Sequence, residues 1–158
     1  MSKISSFTGE IGLSDLIYEN ITIPDYQRPY VWDTERVKIL LEDFDEQLSC
    51  SNKNTPEKYL LGSLILCEGK DKNNKKVLEV VDGQQRLVSL ALILRVILDN
   101  ESKFLSNSEF AHNESKAHIK ENYEFIKSWF EARQDKKQLF VQNLCEKVEF
   151  IYVKAPKS

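Results

Sequence analysis

The stretch that most limits how this chain can fold lies between Val77 and Leu98. A β-branched segment over residues 77–81 passes through Asp82 and Gly83 directly into a segment that is apolar around most of a helical circumference. A strand, a tight turn and a buried helix satisfy that pattern, so the spacing predicts a helix over 84–100 at the centre of the molecule. Residues 59–66 read as a preceding strand containing Gly62 and Ser63. The charged residues 69–76 read as a hairpin-like turn, so the two strands are expected to pair antiparallel.

Other elements follow from periodicity. A short helix is expected over 13–20, capped by Ser14, and then a short strand over 21–24 stopped by Pro24. Asp33 is a good N-cap for a helix whose apolar face is Val37, Leu40, Leu41, Phe44 and Leu48, with Glu35 suiting the positive end of its dipole. The acidic residues between Glu42 and Glu46 fall mostly off that stripe, as a solvated face would, with Asp43 able to point inward. Ile119, Tyr123, Ile126 and Phe130 mark one face of a helix over 115–132. A shorter helix over 138–146 and a final strand over 148–153 complete the reading. Tyr59, Trp129 and Phe130 are expected in the core.

Length and composition narrow the class. The 158 residues suit one domain, and 41% apolar with 30% charged residues is a globular profile. The net charge of −3 excludes a globally basic face, so any contact with nucleic acid has to be local. Cys50, Cys67 and Cys145 are too few and too widely spaced for a disulfide framework or a paired metal motif, and reduced cysteines are expected. His112 and His118 cannot build a histidine-based metal site alone. The first residues lack the apolar core of a signal peptide, and no apolar run approaches the roughly 18 residues that span a bilayer. A cytoplasmic protein with no membrane partner is the expectation.

Two places carry chemistry. At the turn formed by Asp82, Gly83, Gln84, Gln85 and Arg86, the unpaired N–H groups of a helix start face an incoming ligand, and phosphate is the usual anion there. Gly83 permits close backbone approach, Gln84 and Gln85 offer amide donors, and Arg86 can clamp phosphate oxygens with its planar fork. Asp82 is placed to hold Mg²⁺ or a water near those phosphates. The alternative is structural: Asp82 caps the helix and Arg86 pairs with a nearby carboxylate. No capping or packing purpose for two adjacent glutamines is evident from the sequence. The second place is the loop Tyr26, Gln27, Arg28, Pro29, Tyr30, Val31 and Trp32, in which Pro29 forces Arg28 into extended backbone. Such a set can stack on a base and bond its edge; equally, its aromatics can anchor the loop to the core while Arg28 makes an internal ion pair.

The segment from Ile23 to Trp32, then Leu61, Gly62 and Ser63, then Val81 to Leu87, resembles in order and spacing the GmrSD restriction endonuclease N-terminal domain family. The resemblance covers residues 10–100 well and the helices over 101–146 loosely. Where the family more often has two threonines this chain has Val88 and Ser89, which keeps one hydroxyl. The resemblance implies an α+β fold of the ParB and sulfiredoxin kind, a small mixed sheet with flanking helices over residues 1–100, followed by a helical segment and final strand over 101–158 in the same structural unit. It implies hydrolysis of a nucleoside triphosphate that licenses cleavage of modified phage DNA. Asp82, Gln85 and Arg86 are then expected to be catalytic. Gly83, Gln84, Gln85 and Arg86, with Gln27 and Arg28, would bind the nucleotide, and Asp82 would hold Mg²⁺. Tyr26, Gln27, Arg28, Pro29 and Tyr30 would sense modified DNA. Relatives continue into a helical region and often an HNH nuclease domain. With the chain closing on its final strand, it is read as part of a longer protein, and inactive alone if catalysis needs those parts. The competing readings are a non-catalytic DNA sensor, a ParB-like nuclease, disfavoured by the lack of a histidine or carboxylate pair near the motifs, and an interaction domain with a degenerate site.

Overall fold

A computed structural model of the chain describes residues 3–24, 28–49, 58–98, 102–106, 108, 110 and 112–155. It has the α+β architecture, a mixed five-stranded sheet with flanking helices. Strands β1 (Thr8–Gly12), β2 (Ile21–Thr22), β3 (Tyr59–Lys70), β4 (Lys76–Asp82) and β5 (Val148–Ala155) lie in the order β1-β5-β3-β4-β2. The helices are α1 (Leu13–Leu16), α2 (Thr34–Ser49), α3 (Gln84–Ile97), α4 (Asn113–Glu131) and α5 (Lys137–Lys147). None is long and apolar enough to cross a membrane.

The β3–β4 hairpin forms as its sequence predicts, antiparallel, with Cys67 opposite Glu79 and Gly69 opposite Val77. Its strands run further than periodicity suggested, because Asp71 tightens the connection: its carboxylate accepts the Asn73 and Lys75 N–H groups at 2.8 and 2.9 Å. β5 inserts between β1 and β3, antiparallel to the first and parallel to the second. Residues 148–155 therefore occupy an interior position of the sheet. Phe150 and Tyr152 point into the core, while Ile151 and Val153 lie on the open face.

Helix α3 is the central helix. Every residue from Leu87 to Leu94 is buried, as are Val96 and Ile97. In the same core lie the α2 stripe Val37, Leu40, Leu41 and Phe44, which packs towards α4 and α5, and an aromatic cluster in which Phe140 makes edge contacts with Phe44, Trp129 and Phe130. Leu48, the last residue of the predicted stripe, has its side chain outside the described residues. Trp129 and Phe130 are core residues; Tyr59 is half-buried and packs edge-on against Phe44, its centroid 5.5 Å away.

Two local expectations are corrected. The helix expected over 13–20 is the single turn α1, and Ser14 does not cap it: Gly12 stands at the N-cap without a side-chain bond. Residues 8–12, glycine-containing and with Ile11 as their one core side chain, form a strand because β5 supplies their backbone partners. The cap of α2 is as expected, with Asp33 Oδ1 accepting the Arg36 N–H at 3.0 Å.

Candidate functional site

β4 ends at Asp82, Gly83 turns the chain, and α3 begins at Gln84. Gly83 has φ +96°, in the left-handed region where a side chain is strained. A Cβ there would also lie 2.7 Å from Leu64 Cδ2 and 2.8 Å from the Ser63 carbonyl oxygen. Both the dihedral and the close packing on β3 demand glycine. The helix start carries no side-chain cap, so Asp82 is exposed and is not the capping residue that the structural alternative required.

Arg86, in the first turn of α3, is exposed and makes no ion pair among the described residues. It lies over β3 at Gly62: a Cβ on Gly62 would stand 2.8 Å from Arg86 Nη1 and 3.9 Å from its Cδ. The missing side chain thus leaves the notch the guanidinium occupies. Tyr59, further back on β3, feels the site electrostatically. Burial raises its pKa, the Asp43 carboxylate adds to the rise, and Arg86 draws it down. Asp43, on α2, is exposed, yet close enough to act on this hydroxyl.

The two glutamines do have structural purposes, and the expectation that they had none is corrected. Gln84 is buried, and its amide reaches back to donate to the Val81 carbonyl at 3.0 Å. Gln85 joins the two motifs. Its Oε1 accepts the Val31 N–H at 2.9 Å, and its Nε2 donates to the Pro29 carbonyl at 3.1 Å. One amide therefore bonds the loop backbone in both directions, on either side of Tyr30. The side-chain amides offered for phosphate are thus already engaged with backbone, whereas Arg86 is not.

Tyr30 points away from the surface and is only 2% exposed. It cannot stack on a base, and that part of the DNA-sensing set is corrected to a buried anchor. Its hydroxyl lies 2.7 Å from Ser89 Oγ and accepts from Asn122 Nδ2 at 2.8 Å. Ser89 Oγ in turn donates to the Gln85 carbonyl at 2.9 Å. Burial pushes the Tyr30 pKa up. The bonds to Ser89 and Asn122 pull it partly back, and the Asp33 carboxylate adds to the rise. Ser115 Oγ, at the start of α4, accepts the Tyr30 N–H at 2.8 Å, and Asn122 also donates to the Trp32 carbonyl at 2.7 Å. Ser115 and Asn122 carried no signal in the sequence, being isolated polar residues on a charged helix. Asn122 Oδ1 is buried without a partner among the described residues, which costs about 1–3 kcal/mol.

Of the remaining loop residues, Arg28 is exposed and Pro29 is half-buried; Tyr26 and Gln27 lie outside the described residues. Among the described residues no three His, Cys, Asp or Glu side chains come together as a metal site. Cys67 and Cys145 are free thiols, with the Cys145 pKa raised by burial.

Two comparisons bear on this arrangement. No curated protein matches the chain. A family model, described as the N-terminal domain of the GmrSD restriction endonuclease, matches residues 12–158.

Proposed function

The chain belongs to the GmrSD restriction endonuclease N-terminal domain family, and on that premise we propose that it is a nucleotide-handling module of a restriction system, holding the phosphates of a nucleoside triphosphate at the turn from Asp82 to Arg86. The observation that carries this reading is the placement of Arg86, an exposed guanidinium without an ion pair among the described residues, seated in the Gly62 notch beside an uncapped helix start. A guanidinium without an internal partner has all its donors available to a planar oxyanion, and its fork suits two phosphate oxygens at once. The first N–H groups of α3, which lack a side-chain cap, add donors at the same turn.

The residues divide the work. Arg86 neutralises phosphate charge; Gly83 brings the backbone close. Gln84 and Gln85 position the turn rather than touch the ligand, since their amides are committed to Val81, Pro29 and Val31. Exposed Asp82 fits Mg²⁺ as a lone carboxylate ligand, because that ion commonly takes one or two carboxylates and fills its shell with phosphate oxygens and water. Bound there, the ion would offset charge on the phosphates. Catalysis in such a site rests on positioning and charge neutralisation, with Asp82 also placed to orient an attacking water.

A second reading is favoured by the exposed Arg28 beside Val31, which is 46% exposed: this loop contacts modified DNA without turnover, and Arg86 holds a DNA phosphate. The two readings separate on ligand and metal. Titrating ATP, GTP, CTP, UTP and inorganic triphosphate with Mg²⁺ should give saturable binding of at least one nucleotide, competed by triphosphate. Silence from all five would sink the nucleotide reading, and binding of modified DNA in EDTA would then support the second.

Gly62→Ala provides a finer check. The methyl group meets only the end of a flexible side chain, so the fold should change by less than about 1 kcal/mol. Arg86 has to leave the notch, however, and triphosphate affinity should fall by roughly 3–10-fold, as expected for partial loss of a charge-assisted bond worth about 1 kcal/mol. Unchanged affinity in calorimetry would show that the notch does not matter.

A further inference from the structure

We infer that Asn122 of α4 is a positioning residue of the site: it fixes the loop from Pro29 to Trp32, and through Tyr30, Ser89 and Gln85 it sets that loop against the turn that carries Arg86. This deepens the proposed function and rests on it for its ligand readout, but its structural readout stands apart.

Asn122 makes two bonds of different kinds. One goes to a side chain, the Tyr30 hydroxyl, and one to loop backbone, the Trp32 carbonyl. Beyond Tyr30 the path continues to Ser89 Oγ and from there to the Gln85 carbonyl in the first turn of α3. Gln85 returns to the loop through the Val31 N–H and the Pro29 carbonyl. The bonds form a closed circuit with α4 on one side and the start of α3 on the other. Ser115, two turns before Asn122 on α4, takes the one remaining backbone donor of Tyr30. Along Pro29, Tyr30, Val31 and Trp32, each residue thus has a main-chain group bonded to Gln85, Ser115 or Asn122.

Asn122 is also poorly suited to a purely packing role. Its side chain is fully buried, yet its Oδ1 has no partner among the described residues. An apolar residue of the same volume would leave no such atom behind. What it would not supply is the pair of amide hydrogens that hold Tyr30 and Trp32.

The test uses Asn122→Leu, with Ser115→Ala as the second variant in case the first does not fold. The chain has two tryptophans, so 5-fluorotryptophan labelling gives two fluorine resonances, assigned through Trp129→Phe. Trp32 lies in the loop; Trp129 lies in the aromatic cluster. Each variant should shift or broaden the Trp32 resonance and leave Trp129 in place; the urea midpoint should stay near that of the parent in Asn122→Leu, which removes the orphaned Oδ1, and fall in Ser115→Ala, which leaves the buried Tyr30 N–H unpaired. Binding of inorganic triphosphate should weaken by roughly fivefold or more in both. Movement of both resonances together, or of neither, would overturn the inference, as would a shifted Trp32 with unchanged triphosphate affinity. If the parent chain binds no triphosphate, the nucleotide reading fails, and the selective Trp32 response still decides whether Asn122 positions the loop.

Discussion

Arg86→Ala should reduce triphosphate affinity by about 10–100-fold, the equivalent of losing charge-assisted hydrogen bonds worth about 1.5–3 kcal/mol. The fold should be almost untouched. Arg86 is exposed, has no ion pair among the described residues, and covers only a glycine on β3. Removing it leaves no buried charge behind and opens no cavity in the core, so the unfolding midpoint should stay within the range of ordinary surface substitutions, about 0.5 kcal/mol. Any hydrolysis should fall further than binding, because charge on the phosphoryl oxygens is redistributed in the transition state and an arginine at those oxygens contributes most there. Arg86→Lys should recover only part of the loss, since an ammonium keeps the charge but not the fork. Calorimetric titration of the three proteins with one triphosphate, beside urea unfolding of each, checks all of this. Wild-type affinity in Arg86→Ala would remove Arg86 from the site.

Gly83→Ala should have the opposite profile, damaging the fold first. The left-handed backbone costs a residue with a Cβ about 1–2 kcal/mol. The methyl group would meet the Ser63 carbonyl oxygen at 2.8 Å, which belongs to strand backbone and cannot swing aside. Crowding of that kind adds about 1–3 kcal/mol. A total loss of about 2–5 kcal/mol is a large part of the roughly 5–15 kcal/mol that holds a domain together. Urea unfolding followed by circular dichroism should show the midpoint falling far more than in Gly62→Ala, although both substitutions add one methyl group: the one on Gly62 meets the end of the Arg86 side chain, the one on Gly83 meets strand backbone. Equal midpoints would mean that the turn can relax in a way the positive φ and the Ser63 contact do not suggest.

The strand–turn–helix was legible in the sequence because its cause is local. β-branched residues give way at Gly83 to an apolar segment, and nothing distant is needed to read that change. The α2 stripe and its Asp33 cap were legible for the same reason. β1 was not, since Thr8 to Gly12 form a strand only through β5, across some 140 residues of chain. The site divides along the same line. Arg86 and Asp82 stood out by position, and they are exposed as a ligand site needs. The purpose of Gln85 was hidden because its partners Pro29 and Val31 are 56 and 54 residues away in sequence. The anchoring of Tyr30 was hidden likewise, since Asn122 comes from a helix whose sequence shows only an amphipathic pattern with polar residues interspersed.

The interior position of β5 has a consequence for synthesis. A ribosome delivers β3, β4 and α3 together, and that hairpin with its helix can assemble early from neighbouring segments. One edge of β3, and the one edge of β1 that pairs within the sheet, must wait for residues 148–155. Until those residues leave the exit tunnel, Leu64 and Leu66 belong to a sheet that lacks its connecting strand, with β1 still apart from β3. The sheet therefore closes late and in one step, when β5 slots between two strands that were synthesised long before it.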